Sequence, residues 1–181
     1  MRITFVIFLL CFLLKVNGQG AFLSPMTEIS EIDGTISLGA GAGAGIMMKR
    51  WLIGAYGMYT SKAGRAGDSG SLHDLNLTFG GIWLGYAQPA NEYLAVTLGF
   101  KGAMGNARQE GITDAERQND RFWLLTPEAG VDIALGRDVR IGLSTGYRIA
   151  GDVQLTAFTN KNLHTLVNTF SIKIGNLGRL R

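Results

Sequence analysis

The sequence holds two histidines, His73 and His164, the only side chains whose ordinary titration falls near neutrality. His73 follows Asp68, Ser69 and Ser71 and precedes Asp74. An imidazole can take the proton of a serine hydroxyl while an acid holds that imidazole in place. Ser69 or Ser71 with His73 and Asp68 therefore has the composition of an acyl-transfer or hydrolysis site. The plainer alternative makes both histidines ordinary loop or strand-end residues, because sequence order supplies no hydrogen-bond geometry.

Other candidates for chemistry are weaker. The acidic run from Asp114 through Glu116 to Asp120 could hold calcium, but it lacks the spaced oxygen ligands and the glycine of an EF-hand and carries Arg117 within it. Gly39, Gly41, Gly43 and Gly45 recur at every second position, which is not a G-x-G-x-x-G nucleotide loop. The one cysteine, Cys11, lies inside an apolar run near the N-terminus and has no small residues ahead of it to mark a lipoprotein cleavage site. No metal site and no cofactor is expected.

That apolar run, Ile3 to Leu14, follows Arg2 and precedes Lys15. Twelve residues span about 18 Å as a helix, short of the roughly 30 Å hydrocarbon core, so the segment reads as a Sec-type signal peptide rather than a membrane helix. Cleavage is expected after Gly18, making residues 1–18 the signal, and it takes Cys11 with it. The formal charge of +3 then falls to +1, with 15 basic against 14 acidic residues, and gives no reason to expect nucleic acid as a partner.

The elements that would carry these residues show a period of two. Leu94, Val96, Leu98 and Phe100 interleave with Ala95, Thr97, Gly99 and Lys101; Trp123 to Leu135 and Val139 to Ile149 repeat the pattern. Such segments are strands with one apolar and one polar face. Thr35–Met47, Trp51–Tyr59, Asp74–Tyr86 and Leu163–Gly175 follow less cleanly. In the third of these, Leu75, Leu77 and Phe79 are assigned to the apolar face, and Gly80-Gly81 is expected to form a bulge that shifts the phase to Ile82, Leu84 and Tyr86.

Connections alternate in length. Short turns are expected at Met48–Arg50, Ala87–Asn91 and Gly136–Asp138, and long polar loops at Ser61–Ser71, Gly105–Asp120 and Ala150–Asn162. One rim with short turns and one with long loops is the asymmetry of outer-membrane barrels. With short turns in the periplasm, an exported N-terminus requires one further upward strand, for which Ala21–Ile32 is the available segment. Val153–Phe158 belongs to the last outer loop on the same parity. The expected fold is all-β, an eight-stranded antiparallel up-and-down transmembrane β-barrel over residues 19–175, with 176–181 as a short periplasmic tail.

A lysine or arginine facing lipid at mid-depth costs about 2 to 4 kcal/mol, so the charges on the polar faces must point inward. These are Asp74, Lys101, Glu128, Asp132, Arg140, Arg148 and Lys173. An eight-stranded barrel is only wide enough for side chains to fill, which favours a paired internal network over an ion path. Trp51, Trp83, Tyr86 and Tyr93 are expected to form the aromatic girdle by the short turns, and Tyr59, Phe122, Trp123 and Tyr147 the one by the long loops. The glycines of Gly39–Gly45 are expected on the lumen face, making room for large residues across the barrel.

The stretch Arg121–Gly175 carries Asp120-Arg121-Phe122-Trp123, Pro127-Glu128, Gly146-Tyr147-Arg148 and Ser171-Ile172-Lys173-Ile174-Gly175. With Gly80-Gly81-Ile82-Trp83-Leu84-Gly85-Tyr86 it resembles the uncharacterised small outer-membrane β-barrel proteins of Bacteroidetes. The resemblance implies a barrel in the outer membrane and carries over no catalytic residue. It departs at Gly178-Arg179-Leu180-Arg181, which lacks the terminal aromatic many such barrels carry. The expected function is a non-enzymatic structural or accessory subunit of a larger outer-membrane assembly, in contact with outer-membrane lipid and other outer-membrane proteins. The alternatives are a lipid A acyltransferase or deacylase acting through His73 at the outer rim, or a small pore.

Overall fold

The computed structural model describes residues 19–32, 35–62, 74–110, 118–152 and 163–177. Within them the chain forms eight strands: β1 (Gln19–Ile32), β2 (Thr35–Met48), β3 (Trp51–Lys62), β4 (Asp74–Pro89), β5 (Leu94–Glu110), β6 (Gln118–Ala134), β7 (Val139–Gly151) and β8 (Thr165–Gly175). Each pairs antiparallel with its sequence neighbours, and β8 pairs with β1 to close the barrel. The expected eight-stranded barrel is the observed fold.

Closure carries a stagger. Register partners followed from Trp51 run through Tyr86, Leu98, Ala129, Thr145, Asn168, Ile29 and Leu38 and return to β3 at Ser61, ten residues above the start. Strands tilted by about 40° against the barrel axis follow from such a shear. The same path climbs steadily from one rim to the other.

Strands reach further than the alternation indicated. β5 continues to Glu110 and β6 begins at Gln118, so much of the expected loop Gly105–Asp120 is ladder. Ser61 and Lys62 belong to β3, Ala150 and Gly151 to β7, and Ala87 to Pro89 to β4. The turn between β2 and β3 is the pair Lys49-Arg50, with Lys49 left-handed at φ 56°. Val153–Phe158 lies outside the described residues.

The expected bulge at Gly80-Gly81 is absent. β4 pairs without a slip on both sides, from Tyr59↔Thr78 to Trp51↔Tyr86 on β3 and through Gly80↔Met104 and Gly81↔Ala103 on β5. Its phase is therefore constant, and Leu77 and Phe79 point inward with Trp83 while Thr78 faces out. The apparent phase change arises because the lumen itself changes character along its axis. Toward the long-loop end it is lined by Met58, Leu77, Phe79, Phe122 and Leu124. There β4 turns Leu77 and Phe79 inward and Asn76 and Thr78 outward, so alternation of polarity by itself assigns the two faces in reverse.

Outside, a belt of exposed apolar side chains runs around the barrel, among them Leu38, Ile53, Ile82, Leu98, Leu143 and Ile174. Trp51, Tyr86 and Tyr93 stand at its short-turn edge, with Trp51 and Tyr86 edge to face at 5.0 Å. Tyr59, Trp123 and Tyr147 stand at the opposite edge, where the Tyr59 hydroxyl donates to Asn76 Oδ1 at 2.9 Å. Gly151, opposite Trp123 in register, leaves the room its indole occupies. Two members of the expected girdles are misplaced: Trp83 and Phe122 are buried in the lumen.

Candidate functional site

Inward positions are filled rather than open. Six of the seven expected lumen charges are described, and five of those, Lys101, Asp132, Arg140, Arg148 and Lys173, are almost wholly buried, with the Glu128 side chain 8% exposed. The seventh, Asp74, begins β4 opposite Glu110, and its side chain lies outside the described residues. Its place in the network is taken by Glu28 on β1, which the sequence reading passed over. Strict alternation of Phe22, Ser24, Met26, Glu28 and Ser30 along β1 was the available signal.

The charges pair between strands inside the lumen. Lys173 Nζ lies 2.6 and 2.8 Å from the two Asp132 oxygens, and Lys101 Nζ lies 2.8 Å from Glu128 Oε2. Arg148 binds Glu28 through Nη2 and covers the Phe79 ring at 5.2 Å. Each carboxylate thus has a cation from a neighbouring strand or the next but one, which offsets the desolvation that burial imposes on both. Arg140, near the short-turn rim, donates from Nη2 to the Leu177 carbonyl at 2.7 Å and approaches Met47 Sδ at 3.2 Å. Leu177 is itself buried, so residues just past β8 fold back under the barrel mouth.

Trp83 organises the middle of this ladder. Its indole N–H donates to Glu128 Oε1 at 3.1 Å, and Lys101 and Lys173 lie 5.4 and 5.3 Å from its ring. Phe22 meets it edge to face at 6.0 Å. A tryptophan between two ammonium groups gains cation–π attraction on top of the hydrogen bond. Its inward direction follows from alternation with Ile82 and Leu84, whereas assignment to the girdle rested on residue type alone.

Room for these side chains comes from β2, whose lumen face is Gly39, Gly41, Gly43 and Gly45. A Cβ at Gly45 would stand 3.0 Å from Phe22 Cζ, and one at Gly43 3.1 Å from Met26 Cε. A cavity of about 30 Å³ remains among Trp83, Lys101, Glu128, Asp132 and Lys173. That volume suits a water molecule or two and no continuous channel. Toward the long-loop end, Tyr56, Phe79 and Phe122 stack edge to face in sequence, at 6.3 Å in each step.

The alternative site at the rim is not assembled within the described residues. Asp68, Ser69, Ser71 and His73 lie outside them, as does the acidic run from Asp114 to Arg117. His164 is described: its Nε2–H donates to the Ala150 carbonyl at 2.9 Å, an acceptor that cannot relay a proton. Among the described residues no group of three histidine, cysteine or acidic side chains stands close enough to hold a metal ion.

Eight strands, all antiparallel in sequence order, closed by β8 on β1 around a filled interior and ringed by an apolar belt between aromatic girdles, decide the architecture. The fold is that of the small outer-membrane β-barrels. No family model matches the chain, and no curated protein matches it in sequence. Among solved structures, Neisserial surface protein A is similar at TM-score 0.59 and 14% identity over 87% of this chain and 97% of that one. The N-terminal barrel domain of Pseudomonas aeruginosa OprF is similar at TM-score 0.59 and 9% identity, over 86% and 96%. The attachment invasion locus protein Ail of Yersinia pestis is similar at TM-score 0.54 and 15% identity, over 88% and 98%. At these identities the likeness concerns the fold.

Proposed function

We propose that this barrel spans the outer membrane, after removal of signal peptide 1–18, as a non-enzymatic structural or accessory subunit of a larger outer-membrane assembly. The observation that carries this reading is the filled lumen, where three buried interstrand ion pairs, Trp83 and an apolar layer occupy the space a transport path would need. With the inside given over to holding the walls together, contact through the outer face and the loops is the remaining way to act. Outer-membrane lipid and other outer-membrane proteins are then its partners. Kinship with the small barrels of Bacteroidetes rests on the Arg121–Gly175 stretch and belongs to the same proposal.

The test is native gel electrophoresis of mild-detergent extracts from a strain carrying the tagged chain, with mass spectrometry of the band. Migration with one or a few defined outer-membrane proteins, and loss of those proteins from the membrane on deletion, is the expected result. Recovery of the chain by itself, with an unchanged outer-membrane protein profile on deletion, counts against it. The rim-enzyme alternative predicts instead that deletion changes the acyl chains of lipid A and that His73→Ala reproduces the change.

A further inference from the structure

Between the two girdle rows, every described outward position of the barrel is apolar or glycine except three. These are Thr27 on β1, Thr145 on β7 and Asn168 on β8, all exposed. They stand together. Thr145 and Asn168 are direct register partners, and Thr27 lies beside them, opposite Phe170. Thr145 is the outward position next to Tyr147 on β7, and Asn168 the one next to Leu166, the register partner of Tyr147, so the cluster sits inside the apolar belt on its long-loop side.

The same place carries a concavity of about 420 Å³ in the outer face. Its floor includes Gly130, and Ile29, Leu143 and Phe170 rise at its sides. It also borders a break in the β1–β8 ladder, one of two such breaks at a proline, the other being at Thr126 and Pro127 between β6 and β7. Pairing of β1 with β8 runs Phe22↔Gly175 and Leu23↔Ile174, breaks at Ser24 and Pro25, and resumes at Met26↔Ser171. Proline has no N–H to give to a ladder.

We infer that this face, centred on Asn168, is the interface for a second copy of the chain within the membrane. Hydroxyl and amide groups facing hydrocarbon have no water to bond, so a polar cluster inside the apolar belt calls for a partner with polar groups at the same depth. A two-fold axis along the membrane normal meets that condition automatically. It leaves every residue at its own depth and sets the same patch against itself. Threonine hydroxyls and the asparagine amide each donate and accept, so the patch can satisfy its own copy. The ridges at Phe170 and Leu143, 40% and 48% exposed, would enter the facing concavity and cover the interrupted seam. The inference rests on the membrane-spanning reading and is independent of the accessory role.

Cys11 is the single cysteine and lies in the signal segment, so the exported chain offers a blank background for thiol probes. Thr145→Cys and Asn168→Cys are to be oxidised in isolated outer membranes beside Ile82→Cys and Leu84→Cys on the opposite wall. The inference predicts a disulfide-linked dimer of this chain at positions 145 and 168, at least fivefold more abundant than at 82 and 84. In bilayers diluted with lipid, dimerisation read by energy transfer is to be compared for wild type and Asn168→Leu. Removing a shared polar contact within the membrane should weaken association about fivefold. Because that substitution also removes an amide from lipid, the monomer should unfold no more easily, which separates loss of pairing from loss of fold. Equal linkage at both walls, a folded chain that stays monomeric at every dilution, or an adduct at position 168 formed only with a different protein would each overturn the proposal.

Discussion

Single residues inside the barrel act mainly by keeping charge compensated. Glu128 accepts from Lys101, from the Trp83 indole and, at 3.2 Å, from Ser144. Replacing it with leucine strands the Lys101 ammonium between Tyr56 and Trp83, and breaking a buried pair in this way costs about 3 to 5 kcal/mol. We expect Glu128→Leu to lower stability by about that amount in urea unfolding from lipid vesicles. The double change Lys101→Met with Glu128→Leu should recover most of the loss, because neither charge then remains to be desolvated. Stability of the single and double variants that differs by less than about 1 kcal/mol would show that water, and not the ion pair, carries the charge of Lys101.

Strands and turns have their own sequence requirements. The β2–β3 hairpin turns on Lys49, whose φ of 56° crowds an L side chain and is unfavourable above all for a branched one. Lys49→Val should therefore be less stable than Lys49→Gly by about 1 to 2 kcal/mol, measured by the same unfolding, with both variants retaining the barrel's heat-modifiable gel mobility. The glycines of β2 answer to space instead. Gly45→Leu would drive a branched side chain into Phe22 and the Ile53 strand beside it, and we expect it to impair folding more than Ala44→Leu, one position away on the exposed face. Comparable folding yields for the two would remove the close approach as the reason for glycine there.

At the scale of the whole barrel the filled interior has an electrical consequence. An eight-stranded wall closed over three ion pairs and an aromatic stack leaves no aqueous path, so the purified chain in a planar bilayer should give no steady conductance. Reproducible ion-selective openings that vanish on Glu128→Gln or Arg148→Gln would establish a pore. Orientation can be read on cells: tags inserted between Ser61 and Ser71 should be labelled from outside, and tags at Gly136–Asp138 should not. The reverse pattern would invert the barrel in the membrane.

The sequence by itself determined the strand count, the antiparallel order and the face of most strands, because a wall with lipid on one side and charge on the other must alternate with a period of two. Lys101, Asp132, Arg140, Arg148 and Lys173 were legible as inward residues on that ground alone. The tertiary structure decided what alternation cannot encode. Near the long-loop end β4 turns its apolar Leu77 and Phe79 inward and its polar Asn76 and Thr78 outward, so polarity gave the wrong phase until continuous pairing with β3 and β5 fixed it. Glu28 found Arg148, 120 residues away, only through closure of β1 on β8 and the stagger of ten that sets their heights. Trp83 was read by its residue type as an interfacial ring, whereas a tryptophan also fits where two ammonium groups and a carboxylate need one flat partner. Which charges meet, and how high each stands, depends on shear, a property of the closed sheet that no single strand contains.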